Sequence, residues 1–172
     1  MFPFFPQPKI FVLSAIVWAL LAVALWYLAI ERLGSDLGIS SSPTGVGVAM
    51  FWSARSLWFY LYFAVSVTIF AGTWMLLAPH PWAPWSVLGS APILFSTYFQ
   101  VQVSVAINTW YGPFYDLVQS ALSKPASVTI GQFYSELATF AGIALVAVTA
   151  GVLTRFFVSH YIFRWRTAMN DY

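Results

Sequence analysis

The stretch Val87–Trp110, VLGSAPILFSTYFQVQVSVAINTW, holds no charged residue over 24 positions. As a helix rising ~1.5 Å per residue it reaches about 36 Å, enough to cross a ~30 Å hydrocarbon core with some tilt. It is not uniformly apolar. Ser96, Gln100, Ser104 and Asn108 recur every fourth residue. Four residues advance a helix by about 400°, so these side chains form one slowly turning polar stripe. Lipid satisfies neither amides nor hydroxyls. The stripe therefore faces either neighbouring helices or a water-lined path, and the pattern leaves both open.

On the C-terminal side, Gly112-Pro113 is expected to end this span. Phe114, Leu117, Val118, Ala121 and Leu122 then mark a short amphipathic helix lying on the membrane or capping a cavity. Thr129-x-x-Gln132 is a capping-box pattern that starts the next helix. Leu137–Thr154 gives 18 uncharged residues between Glu136 and Arg155, and no proline interrupts Ile130–Ala168. A helix over those 39 residues would be about 58 Å long and would project into water. Ala138/Gly142 and Ala147/Gly151 are small residues at four-residue spacing, expected to let helices approach closely.

On the N-terminal side, Leu57–Leu77 and Ile10–Ile30 are each 21 residues without charge. Ile10–Ile30 is too long for the apolar region of a signal peptide, so it reads as an uncleaved span. The opening MFPFFPQPK is expected to lie irregularly at the interface. Ser40, Ser41, Ser42, Pro43, Gly45 and Gly47 mark a loop. Pro79, Pro81 and Pro84 allow only a tight turn before Val87, anchored at the bilayer surface by Trp82 and Trp85. Trp52 and Trp58 suit the same aromatic belt, and Pro92 is expected to kink the first half of the third span. The resulting fold class is an all-α integral membrane protein. It is one membrane domain over residues 1–172 with four transmembrane helices at about 10–30, 57–77, 87–110 and 133–158, the last continuing toward 168.

Composition agrees. Only 7% of the 172 residues are charged, against about 25% in a soluble domain. The seven basic residues are spread along the chain and make no nucleic-acid footprint. The absence of cysteine excludes disulfides and thiolate chemistry. Neither lysine follows a glycine, so there is no phosphate-binding loop and no ATPase is expected here. His80 and His160 stand without carboxylates at ligand spacing, so no metal or other cofactor is expected, and no catalytic constellation points to an enzyme. Four spans put both termini on one side. Lys9, Arg155, Arg164 and Arg166 against Arg32, Arg55 and Lys124 place them in the cytoplasm. Glu136 and Asp116 are the carboxylates nearest the last two spans, open to a proton or peptide contact or to plain solvation.

The strings FFVSHYIFRWRTAMNDY (Phe156–Tyr172) and NTWYGPFYDLVQSAL (Asn108–Leu122) resemble the SbmA/BacA family of bacterial peptide transporters, most of all its BacA branch. FFPQPK, VWAL at Val17–Leu20, FWS at Phe51–Ser53 and PHPW at Pro79–Trp82 agree with it in order. The resemblance implies an inner-membrane homodimer like the transmembrane part of ABC exporters, without a nucleotide-binding domain. It implies import of peptides and peptide antibiotics driven by the proton gradient. Family chains are longer, so this chain is expected to represent the front part of such a transporter. The alternative is a truncated, transport-incompetent membrane protein acting only as an interaction subunit. By local motif, the resemblance marks Trp52, Phe59 and Tyr115 as substrate contacts, with Gln100, Ser104 and Asn108 lining or bracing the path. Bulky aromatics in such a cavity would hold apolar and cationic peptide groups.

Overall fold

The computed structural model describes residues 4–5, 7–39, 45–124 and 128–170. All regular elements among them are helical. Four helical stretches are long and apolar enough to cross a membrane: Pro8–Asp36, Ala54–Leu77, Pro84–Ser123 and Ile130–Asn170. Each carries an uncharged run of the kind lipid requires. The first and the last two also extend past it into polar residues that water can solvate. The expected loop residues Ser40–Ser42 and Pro43, and Met1, Phe2, Pro3 and Pro6 of the opening, lie outside the described residues.

The first stretch is α1 (Pro8–Leu25), a π-helical turn (Trp26–Ile30) and α2 (Glu31–Asp36). Proline at the first position costs nothing, because that N–H has no helical partner. At the π turn the Glu31 N–H reaches back five residues to the Trp26 carbonyl. The stretch ends where Gly38 takes a left-handed conformation, φ 73°. There the N–H groups of Gly38 and Ile39 close on the carbonyls of Ser35 and Gly34, at 3.0 and 2.9 Å.

Two compact units form. The first contains the described residues up to 39, together with 54–95 and 155–170. Its frame is the pairing of the first stretch with α3 (Ala54–Leu77). The indole of Trp74 donates to Ser14 Oγ, and that of Trp18 to Ser66 Oγ, both at 3.1 Å. The Tyr62 hydroxyl donates to the Ala22 carbonyl at 2.7 Å, and the Trp58 indole to the Ile30 carbonyl at 3.1 Å. Partners run in reverse order along the two helices, the register of an antiparallel hairpin. Each such bond in a membrane contributes about 0.6 kcal/mol, and the alternative is a polar group facing lipid. Phe11, Ala71 and Val87 form the small buried cluster beside them.

The first aromatics pack against other side chains of the same unit. Phe4 is buried, its ring edge-on to Tyr161 at 5.6 Å and tilted against Trp82 at 6.3 Å. Trp85 likewise meets protein: the Arg164 guanidinium lies 4.8 Å from its ring centre, and the His160 ring 5.3 Å away.

The second unit contains 45–53, 96–124 and 128–154. Its core is Phe51, Val103, Ala106, Trp110 and Ile143. These come from a short 3₁₀ turn (Val48–Trp52), from α4 (Ser90–Ser123) and from α5 (Ile130–Asn170). α5 begins as its sequence predicts. Thr129 N–H donates to Gln132 Oε1 at 2.8 Å, and Gln132 N–H donates back to Thr129 Oγ1 at 3.3 Å.

Pro92 is the third residue of α4, just after the π-helical turn Pro84–Leu88. Two local expectations are corrected. Gly112-Pro113 does not end the helix: α4 runs through it to Ser123, and there is no separate amphipathic helix after Pro113. Proline removes one N–H, leaving the Thr109 carbonyl without its usual donor, but the flanking Trp110 and Phe114 stack at 4.6 Å and hold the turn. Gly142 accommodates a side chain rather than a helix backbone. A Cβ there would lie 2.9 Å from Val48 Cγ2, while Gly151 has nothing within 4 Å.

Candidate functional site

α4 has two unlike faces in the second unit. Phe99, Val103, Ala106, Trp110 and Phe114 turn toward its core. On the other side Gln100, Ser104 and Asn108 are exposed, while Ser96 at the head of the stripe is half-buried. The Ser104 hydroxyl donates to the Gln100 carbonyl one turn back, at 3.1 Å, and so needs no outside partner. The amides of Gln100 and Asn108 are different. Neither side chain makes a hydrogen bond to any described residue, so each presents a donor and an acceptor outward. Thr109 spends its hydroxyl on the Val105 carbonyl at 2.8 Å, and its own carbonyl lacks the donor Pro113 cannot supply.

Because α4 is continuous, this face does not stop at Asn108. Tyr111 and Tyr115 fall within about 60° of Gln100 around the helix. Their rings stack at 5.9 Å, and Tyr115 is 63% exposed. The result is one open face carrying two amides, a hydroxyl and two phenols. Between Gln100 and Tyr115 it extends about 22 Å. Asp116 is exposed too, but about 160° around the helix from Gln100.

The remaining predicted residues divide between the units. Trp52 belongs to the second. It is 66% exposed, whereas its neighbour Phe51 is 2% exposed and sits in the core. Glu136 is half-buried, and its main-chain carbonyl accepts the Trp110 indole N–H at 3.0 Å. Phe59 belongs to the first unit, where it packs edge-on against Trp26 at 4.9 Å. Sequence reasoning passed over Trp110 and Tyr111. Carrying the helical register one residue past Trp110 would have found Tyr111.

It also passed over the pairing of Glu31 with Arg55, at 2.6 Å from Oε1 to Nη2. The two are 24 residues apart, and only the hairpin brings them together. Among the described residues no group of three or more His, Asp or Glu could hold a metal ion.

A family model described as SbmA/BacA-like matches residues 79–172. That range takes in the open face of α4, its two tyrosines and the whole of α5. With more than half its residues matched and four helices able to span a bilayer, the chain is a multi-pass membrane protein that belongs to the SbmA/BacA-like family of transporters.

Proposed function

We propose that this chain carries peptides and peptide-like antibiotics inward across the bacterial inner membrane, driven by the proton gradient. It works as a homodimer with cytoplasmic termini, arranged like the transmembrane part of an ABC exporter that lacks a nucleotide-binding domain. One observation carries the reading: the open face of α4, where the Gln100 and Asn108 amides have no partner among the described residues. Hydrocarbon would charge several kcal/mol for each unsatisfied polar group, so this face belongs beside water, a polar solute or another protein surface. Amides hydrogen-bond peptide backbones in either direction, while Tyr111, Tyr115 and Trp52 offer rings to apolar and cationic side chains. Family membership supports peptide transport as the activity. One proton moving down 100 mV supplies about 2.3 kcal/mol, a sufficient step for alternating access. Asp116 and Glu136 are the carboxylates in the second unit available to take it.

The test is uptake of a fluorescent proline-rich peptide by cells expressing the chain, with and without a protonophore. The reading expects uptake that collapses with the gradient, and a loss of about tenfold in a Gln100→Leu/Asn108→Leu variant. Absence of uptake with the protein correctly inserted would favour the interaction-subunit alternative.

A further inference from the structure

We propose that the cleft at the end of the first helical stretch binds a phosphate–ammonium zwitterion, the phosphoethanolamine group. The cleft is a half-open recess of about 120 Å³. Its walls are the indoles of Trp26 and Trp58 and the charged groups of Glu31 and Arg55. The end of α2 contributes Gly34, Ser35 and Ile39.

The charges select the ligand. Arg55 Nη2 already donates to Glu31 Oε1, so the pair is neutral as a whole. A simple anion or cation would gain one partner and be repelled by the other. A zwitterion of matching polarity adds to both ends. The pair is also only partly desolvated, with Arg55 54% and Glu31 34% exposed, which leaves guanidinium N–H groups and the second carboxylate oxygen reachable.

The backbone sets the same polarity. Arg55 lies in the first turn of α3, whose N-terminal N–H groups favour phosphate. Across the cleft the helical stretch ends at Asp36, and its carbonyl end favours a cation. The indoles of Trp26 and Trp58, which line the cleft, suit an ammonium neighbour. Gly34 allows this closeness, since a Cβ there would fall 2.9 Å from the Trp58 indole nitrogen.

Two sources could present the group: a phosphatidylethanolamine lipid or a soluble phosphoethanolamine. The cleft lies just beyond the uncharged run Ile10–Ile30, where a span of that length would meet the lipid headgroups.

The purified, delipidated chain is titrated in detergent with phosphatidylethanolamine, phosphatidylcholine and phosphatidylglycerol of identical acyl chains, and bound lipid is counted by native mass spectrometry. Phosphatidylethanolamine should be retained about tenfold more than either, because only it offers ammonium N–H donors together with a phosphate. The exchange variant Glu31→Arg/Arg55→Glu keeps an ion pair but reverses it against the helix ends, and should lose that preference without loss of helix content. Equal retention of the three lipids by the native chain, or an unchanged preference in the exchange variant, would overturn the proposal. Competition with glycerophosphoethanolamine separates the sources. Displacement assigns the cleft to the soluble group as well, and retention assigns it to the lipid; both uphold the zwitterion site.

Discussion

The indole N–H of Trp110 donates to the main-chain carbonyl of Glu136 at 3.0 Å, linking α4 to α5. The same ring stacks on Phe114 at 4.6 Å and leans on Phe140 at 4.7 Å. One side chain thus sets where the first turns of α5 lie against the face of α4 that backs the open stripe. Trp110→Phe keeps most of the ring and removes the bond, and is expected to cost about 1 kcal/mol. Trp110→Ala also opens a cavity and is expected to cost about 3–5 kcal/mol. Thermal unfolding in detergent should rank the two in that order. Equal losses would mean that the hydrogen bond contributes nothing.

Gly142 and Gly151 occupy the same helix, but only the first has a neighbour. Gly142→Leu must displace Val48 and with it the 3₁₀ turn that carries Phe51 into the core, at a cost of about 1–3 kcal/mol. Gly151→Leu should stay within about 0.5 kcal/mol of the native protein. Adding Val48→Ala should recover part of the Gly142→Leu loss, and a double-mutant cycle measures how much.

The two faces of α4 predict a labelling pattern. Cysteine at Gln100, Ser104, Asn108 or Tyr115 should react with a small hydrophilic thiol reagent in intact membranes. Cysteine at Val103 or Ala106, both buried in the core, should stay silent. Silence along the whole open face would mean that another protein surface, not water, covers it.

Tyr62→Phe deletes only the hydroxyl that reaches the Ala22 carbonyl. The expected loss is about 0.6 kcal/mol. Trp58→Phe should cost more, because it releases the Ile30 carbonyl at the edge of the π turn and empties part of the cleft beside Glu31. Backbone hydrogen exchange around Trp26–Ile30 is the sensitive readout. It should quicken in Trp58→Phe and remain unchanged in Tyr62→Phe.

Long uncharged runs were readable because hydrocarbon imposes one severe condition that composition alone reveals. The Thr129/Gln132 cap was readable because its partners are three residues apart. The stripe at Gln100, Ser104 and Asn108 followed from helical period. Its extension to Tyr115 did not, because Gly112-Pro113 carries a strong local signal for a break. Packing of Trp110 and Phe114 outweighed that signal. Contacts between distant segments were illegible for a simpler reason. Nothing in the composition around Glu31 names Arg55, or around Gly142 names Val48; tertiary pairing alone selects them.

The reverse-order pairing of Ser14 with Trp74, Trp18 with Ser66 and Ala22 with Tyr62 lies wholly within the first 77 residues. A ribosome delivers those residues before it has made any of α4. The two helices can therefore zip together at the insertion machinery, each covering polar groups of the other, while the remainder is still being translated. The second unit has no such head start. Phe51 emerges early, but Ile143 of the same core arrives some ninety residues later, which at ~5–20 residues per second is several seconds of waiting. Biogenesis is thus ordered by the chain itself: a hairpin that closes at once, and a core that waits for its last helix.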